Sequence, residues 1–216
     1  MIYHTLEQRD AALLIAWKLN LTTNTITLIE DNTNTAGYFA FENVGTIIPQ
    51  FLLRRGLCTM HGVLMEHRGN GIILTADSGV GKTTHARLWR DHKRAIIING
   101  DRITFRKEFC NEREEWIGYG LPWSGGSGEQ INRDVPIRAV VQIVRAEKNW
   151  AERIGGIEAF EVVLGQLLTP AWDSALAGIA VDMASQLAEQ VPVWRMHCNM
   201  DPEAADVLET ALNAAK

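Results

Sequence analysis

Eight residues, Ala76-Asp77-Ser78-Gly79-Val80-Gly81-Lys82-Thr83, restrict this chain more than any other stretch. They follow the phosphate-loop pattern, with Ala in place of its first Gly, where a small residue still fits. The apolar run Gly71–Thr75 ahead of them reads as a buried strand, and Thr84–Arg90 behind them reads as a helix, the context this loop requires. Gly79 and Gly81 let the backbone curl so that several N–H groups face inward. A helix opening near Lys82 adds the positive end of its dipole. Asp77, Ser78, Gly79, Val80, Gly81, Lys82, Thr83 and Thr84 are therefore the candidate nucleotide-binding residues. In such a loop the Lys82 ammonium meets the β- and γ-phosphates of ATP, and the Thr83 hydroxyl meets Mg²⁺. The competing reading is a chance glycine-rich turn, which leaves the strand before and the helix after unexplained.

A second element suits the same chemistry. Ala95-Ile96-Ile97-Ile98-Asn99-Gly100-Asp101 is a buried strand ending in an acid. A strand-end aspartate near a phosphate loop holds Mg²⁺ directly or through water, which makes Asp101 a metal candidate beside Thr83. Asn-Gly-Asp also suits a plain turn, so the bland reading of Asp101 stays open.

The 216 residues, 46% hydrophobic and 22% charged, fit one folded domain over 1–216 and exclude a disordered or collagen-like chain. Its segments are expected to be 1–60, a nucleotide-binding core over 61–146 and an extension over 147–216. The net charge of −5 disfavours long nucleic acid as a partner. Residues 85–107 nevertheless carry seven basic and two acidic side chains beside the phosphate loop. Three scattered cysteines, Cys58, Cys110 and Cys198, argue against a disulfide framework and fit a reducing cytoplasm. No apolar run reaches the ~20 residues of a spanning helix, and residues 1–20 show no secretory leader pattern, so no membrane association is expected.

Strands and helices alternate, which predicts an α/β fold. Residues 7–19 read as a short helix, Leu21–Glu30 as a strand, Asp31–Gly37 as a turn, and Ile47–Thr59 as a helix started by Pro49. His61–His67 and Gly71–Ala76 read as a hairpin, Lys82–Asp91 as a helix, and Arg94–Asn99 and Ile103–Lys107 as strands. Glu115–Gly128, with two Trp and five Gly, reads as a loop. Val135–Ala146 reads as a strand, Ile157–Gln190 as two helices broken near Pro170, and Val191–Cys198 as a strand. Asp201-Pro202-Glu203 opens a last helix.

Met60-His61-Gly62-Val63-Leu64-Met65-Glu66, the strand Gly71-Ile72-Ile73-Leu74 and the loop Asp77–Thr83 together resemble the catalytic domain of HPr kinase/phosphorylase. That family carries a His-Gly-Val-Leu strand one hairpin before its phosphate loop, and then a strand ending in an Asp-Asp-Arg-Val-like run. Here that run reads Gly100-Asp101-Arg102-Ile103. The resemblance covers His61–Ile103. It implies the phosphoenolpyruvate carboxykinase-like fold, a mixed sheet with flanking helices. It also implies ATP-dependent phosphorylation of a Ser or Thr hydroxyl. Lys82, Asp101 and His61 are the implied catalytic residues; on its own, a strand-end histidine such as His61 reads as structural. The first acid of the family's pair is Gly100 here, so either Asp101 serves alone or another acid, for which Glu129 is a candidate, supplies the base. Residues 1–60 are too few to be expected to stand for the family's separate N-terminal domain. The chain is similar to short stand-alone relatives near peptide-maturation enzymes, which implies a peptide or small-protein substrate. Non-catalytic nucleotide binding and a small-molecule kinase of the same fold are the alternatives.

The glycine-rich segment Gly118–Glu129 falls where such kinases carry a substrate loop. Trp123, Ser127, Glu129 and, beyond it, Arg133 are the candidate substrate residues, Trp123 as a stacking surface and Arg133 as a phosphate holder. A surface loop anchored by Trp123 is the other reading.

Overall fold

The computed structural model of the chain describes residues 2–8, 14–20, 23, 25–30, 36–110, 112–170 and 173–214. Among them run β1 (Ile2–Gln8), β2 (Leu14–Asn20), β3 (Thr25–Glu30), α1 (Ala36–Leu53), β4 (Cys58–His61), β5 (Val63–His67) and β6 (Asn70–Thr75). There follow α2 (Lys82–Lys93), β7 (Ile96–Asn99), β8 (Arg102–Cys110), β9 (Arg113–Gly120), β10 (Asp134–Arg145) and β11 (Trp150–Ile154). The chain ends with α3 (Gly156–Leu164), α4 (Ser174–Gln190), β12 (Val193–Cys198) and α5 (Glu203–Ala214).

β1, β2 and β3 form one antiparallel sheet. The second sheet has the order β4-β8-β9-β10-β6-β5-β7, with β12 beside β10 and β11 beside β12. β10 joins two pairing modes. Its start, Asp134–Pro136, lies antiparallel to β9, while Ile137–Gln142 lies parallel to β6 and Val140–Arg145 parallel to β12. Both directions occur, so the architecture is a mixed α/β sheet with flanking helices.

Alternation along the central strands sorts their side chains into two apolar layers. Leu64, Ile73 and Val140 pack with residues of α1, α3 and α4, whereas Met65, Leu74 and Val141 pack with Ala86 and Trp89 of α2 and Ala204, Ala205 and Leu208 of α5. β6 is buried on both faces, which is why it reads as a continuous apolar run. Because β6, β10 and β12 are parallel, Thr75, Arg145 and Cys198 share one end of the sheet, and the glycine-containing loop Ala76–Gly81 leaves β6 there.

Several expectations are corrected. Residues 7–8 and 14–19 belong to β1 and β2; pairing of Gln8 with Leu14 and of Ile15 with Glu30 overrides any helical preference. The turn expected over Asp31–Gly37 falls on residues outside the described ones up to 35, and Ala36 and Gly37 already belong to α1. Pro49 lies inside α1 rather than at its start, and Cys58 and Thr59 are strand. Gly118 and Gly120 are strand residues of β9, so the loop is shorter than expected and contains a 3₁₀ turn over Gly125–Ser127. β11 was not foreseen. Among the described residues, no helix is long and apolar enough to cross a membrane, and Cys58, Cys110 and Cys198 are free thiols.

Candidate functional site

The loop between β6 and α2 takes the shape its glycines allow. Gly79 has φ 78° and Gly81 φ 126°, conformations that side chains with a Cβ rarely adopt. Gly81 caps α2 without a side-chain bond to the first N–H groups, which leaves them available to an anion. The Lys82 side chain folds back along the loop: its Nζ donates to the carbonyls of Ala76 at 2.9 Å and Asp77 at 3.3 Å. Burial lowers its pKa, and the charges of Asp101 and Asp77 oppose that shift.

A cleft of about 330 Å³ opens on this loop. Ser78, Gly79, Gly81, Lys82, Thr83 and Thr84 line it from the loop side, and His61, Gly100 and Asp101 from the facing strand ends. His61 ends β4 and Asp101 follows β7, so two strands bring the pair together: His61 Nδ1 lies 3.3 Å from Asp101 Oδ1. Arg102 Nε lies 3.4 Å from Oδ2. The hydrogen bond from His61 is the main force holding the Asp101 carboxyl below the usual carboxylate range. The charges of His61, Arg102 and Lys82 add to it, and burial opposes it. Asp77 and Val80 do not line this cleft. Val80 packs against the apolar layer under α2, and Asp77 borders a separate hollow.

The donor set can be tested against ATP and Mg²⁺. A positive-φ loop, uncapped helix N–H groups and a buried ammonium fit a polyphosphate. Among the described residues, no three His, Cys, Asp or Glu side chains converge as a metal cage. A Mg²⁺ ion here would rest on the Thr83 hydroxyl and Asp101 carboxylate together with phosphate oxygens, an arrangement suited to that ion.

Two residues not singled out from sequence hold the site in shape. Asn99, fully buried, accepts at Oδ1 from the N–H groups of Asp101 (2.9 Å) and Arg102 (2.8 Å). Its Nδ2 donates to the carbonyls of Leu121 (2.6 Å) and Trp123 (3.2 Å), tying the strand end to the glycine-rich segment. Arg145, at the end of β10, donates from Nε to Val80 O at 3.0 Å and from a terminal nitrogen to Gly79 O. Asn99 lay hidden in a turn-like Asn-Gly-Asp. Arg145 stands at the end of a strand already read as such, on the loop's side of the sheet.

The candidate substrate residues are placed otherwise than expected. Trp123 is buried, donates from Nε1 to Phe41 O at 2.7 Å and stacks on Phe41 with centroids 5.2 Å apart. It anchors α1 instead of offering a face to a ligand. Arg133 pairs with Glu66 of β5 and does not line the cleft. Ser127 donates from Oγ to Ser124 O at 2.6 Å and stands against Gly100. Glu129 accepts from Arg90 of α2 at 2.7 Å, with Arg87 3.7 Å away, so its carboxylate is held on the helix.

Neither a protein-family model nor a curated protein matches the sequence. Among solved structures, the Hpr(Ser) kinase/phosphatase from Coxiella burnetii is similar to this chain over 71% of its residues and 95% of that chain, with 12% identity and a TM-score of 0.43.

Proposed function

We propose that this chain is an ATP- and Mg²⁺-dependent phosphotransferase acting on a Ser or Thr hydroxyl of a peptide or small protein, with residues 1–216 as one domain working in the cytoplasm. The observation that carries this is the meeting, in one cleft, of a phosphate-loop lysine and threonine with an ionised, histidine-bonded aspartate. Bound ATP supplies the phosphoryl group, and Mg²⁺ neutralises its charge. Lys82 would swing from the Ala76 and Asp77 carbonyls to the phosphates, and Thr83 and Asp101 would hold the metal. Asp101 would also take the acceptor's proton. Its depressed pKa makes it a weak base, which a loose phosphoryl-transfer transition state tolerates. His61 keeps the carboxylate oriented and ionised.

A second reading, a nucleotide-binding protein without transfer activity, is favoured by one arrangement. Gly100 is packed against Ser127, and Glu129 is committed to Arg87 and Arg90, so neither supplies a second acid to the cleft. γ-Labelled ATP with serine-containing peptides separates the two. The first reading requires transfer by the wild type that collapses in Asp101→Asn. Tight ATP binding with no transfer to any peptide or small acceptor supports the second.

A further inference from the structure

At the phosphate-loop end of the sheet, in the layer that holds α3 rather than α2, a second hollow of about 360 Å³ opens between β6, β10, β12 and α3. Thr75 and Gln142, paired across β6 and β10, form part of its lining, and Asp77, Glu158 and Glu161 bring three carboxylates to it. Arg195 is the basic side chain there, and its charge is already spent. It donates from Nη1 to Glu158 Oε1 at 2.5 Å and from Nε to Gln142 Oε1 at 2.9 Å. Among the described residues, Glu161 makes no ion pair and Asp77 feels only the charge of Lys82 at longer range, so Glu158 and Glu161 against Arg195 leave the hollow an excess of negative charge.

A second observation points to a ligand. Thr75 is fully buried, lines this hollow, and its Oγ1 has no hydrogen-bond partner. Buried hydroxyls are nearly always partnered, so Thr75 Oγ1 leaves a hydrogen bond for a water, a cation or a ligand donor to complete. Oxygen acceptors with surplus negative charge suit an ammonium or guanidinium group, which brings several donors and no acceptor.

Two backbone links tie the hollow to the cleft. Gln166 lines it, and Gln166 O accepts from the backbone N–H of His61, a cleft residue, at 2.8 Å. Asp77 lines it, and the next residue, Ser78, lines the cleft.

We propose that this hollow is an acceptor subsite for a cationic side chain, so that the substrate is a basic peptide with Lys or Arg close to the phosphorylated hydroxyl. The acceptor role rests on the phosphotransferase reading; the recognition of a cation does not.

The probes are acetyl-Gly-Ser-Gly-Lys-Gly-amide and its Gln and Glu counterparts, followed by amide chemical shifts of the full chain. The Lys peptide is expected to bind roughly tenfold tighter than the Gln peptide, with shifts at Thr75 and Gln166, and the Glu peptide weakest. Glu161→Gln and Thr75→Val should each weaken the Lys peptide by about 5–10-fold. Thr75→Val should leave the melting temperature unchanged or raised, since the hydroxyl has no partner to lose. Glu112→Gln, on the remote β8–β9 hairpin, should change nothing. Equal affinity for the three peptides overturns the proposal, as does Lys-peptide affinity that Glu161→Gln does not alter or that Glu112→Gln lowers equally. Titration of the same samples with Mg²⁺-ATP keeps the two readings apart. ATP binding without peptide selectivity sinks the subsite alone, and selectivity without ATP binding sinks the phosphotransferase.

Discussion

A Cβ built on Gly100 would stand 2.1 Å from Ser127 Oγ and 2.6 Å from Ser127 Cβ. The position where an acid was expected from the resemblance is thus filled from the glycine-rich segment. Ser127 has little freedom to withdraw, because its Oγ donates to Ser124 O and accepts from the N–H of Glu129. Gly100→Ala should therefore destabilise the fold by ~1–3 kcal/mol, an overpacking cost. Ser127→Gly in the same chain should restore most of it, as read by denaturant melts. An unchanged midpoint for Gly100→Ala would show that the contact is not tight.

Asn99 supports both the Asp101 turn and the loop above it, so its two faces are separable. Asn99→Asp keeps the acceptor for the N–H groups of Asp101 and Arg102 but sets a carboxylate oxygen against the carbonyls of Leu121 and Trp123. Asn99→Ala takes the partner from four groups, of which the Trp123 carbonyl is buried and the other three partly so, a loss of about 3 kcal/mol. Thermal melts should rank wild type above both variants, with nucleotide affinity falling alongside. Wild-type stability in Asn99→Ala would remove the clamp from the account.

What could be read from the sequence was local. The strand, positive-φ glycine loop and helix around Gly79 and Gly81 need only those glycines and their immediate flanks, and the isoleucine runs of β6 and β7 announce buried strands wherever they sit. What escaped depends on distant chain. Gly118 reads as loop, yet it is a strand glycine because a Cβ there would press on Leu64 and Ile137 at 3.1–3.3 Å. Gly45 belongs inside a helix because the Trp123 ring occupies the space of its side chain. The same packing turns Trp123 from a candidate ligand platform into an anchor. Glu129 and Arg133 were charges near a site in sequence. Arginines on α2 and a glutamate on β5 decide where they point, and no short motif records those partners.

Asp101 titrates below the 3.8 of an unconstrained aspartate, chiefly through its hydrogen bond from His61. A carboxyl with a lowered folded pKa adds stability that is fully present above pH 3.8 and is lost as pH falls through the folded value. His61→Ala removes the leading cause and leaves burial to push the other way. The Asp101 carboxyl carbon, followed by NMR, should then titrate at higher pH than in the wild type. A midpoint that does not move contradicts the pairing.

His85, on α2 one turn beyond the loop, is buried. It accepts from Trp89 Nε1 at 3.3 Å, and burial drives its pKa from 6.5 down to about 4. Between those values the unfolded chain takes up a proton that the folded one refuses, so stability falls as the pH drops across that window. The loss is on the order of 3 kcal/mol. Ring-nitrogen shifts should report a neutral His85 down to a midpoint near pH 4. Titration near 6.5 would mean that the ring is solvated.

The proposed phosphate site rests on Lys82, whose ammonium is buried against the Ala76 and Asp77 carbonyls and faces the same cleft as Asp101. Calorimetric titration of Mg²⁺-ATP into the wild type and Lys82→Ala is the most direct measurement. Losing a charge-assisted contact to the β- and γ-phosphates should weaken binding by ~10–100-fold, while the melting curve without nucleotide shows the variant still folded. Equal ATP affinity in a folded Lys82→Ala, or no ATP binding by the wild type, would contradict a phosphate-binding cleft here.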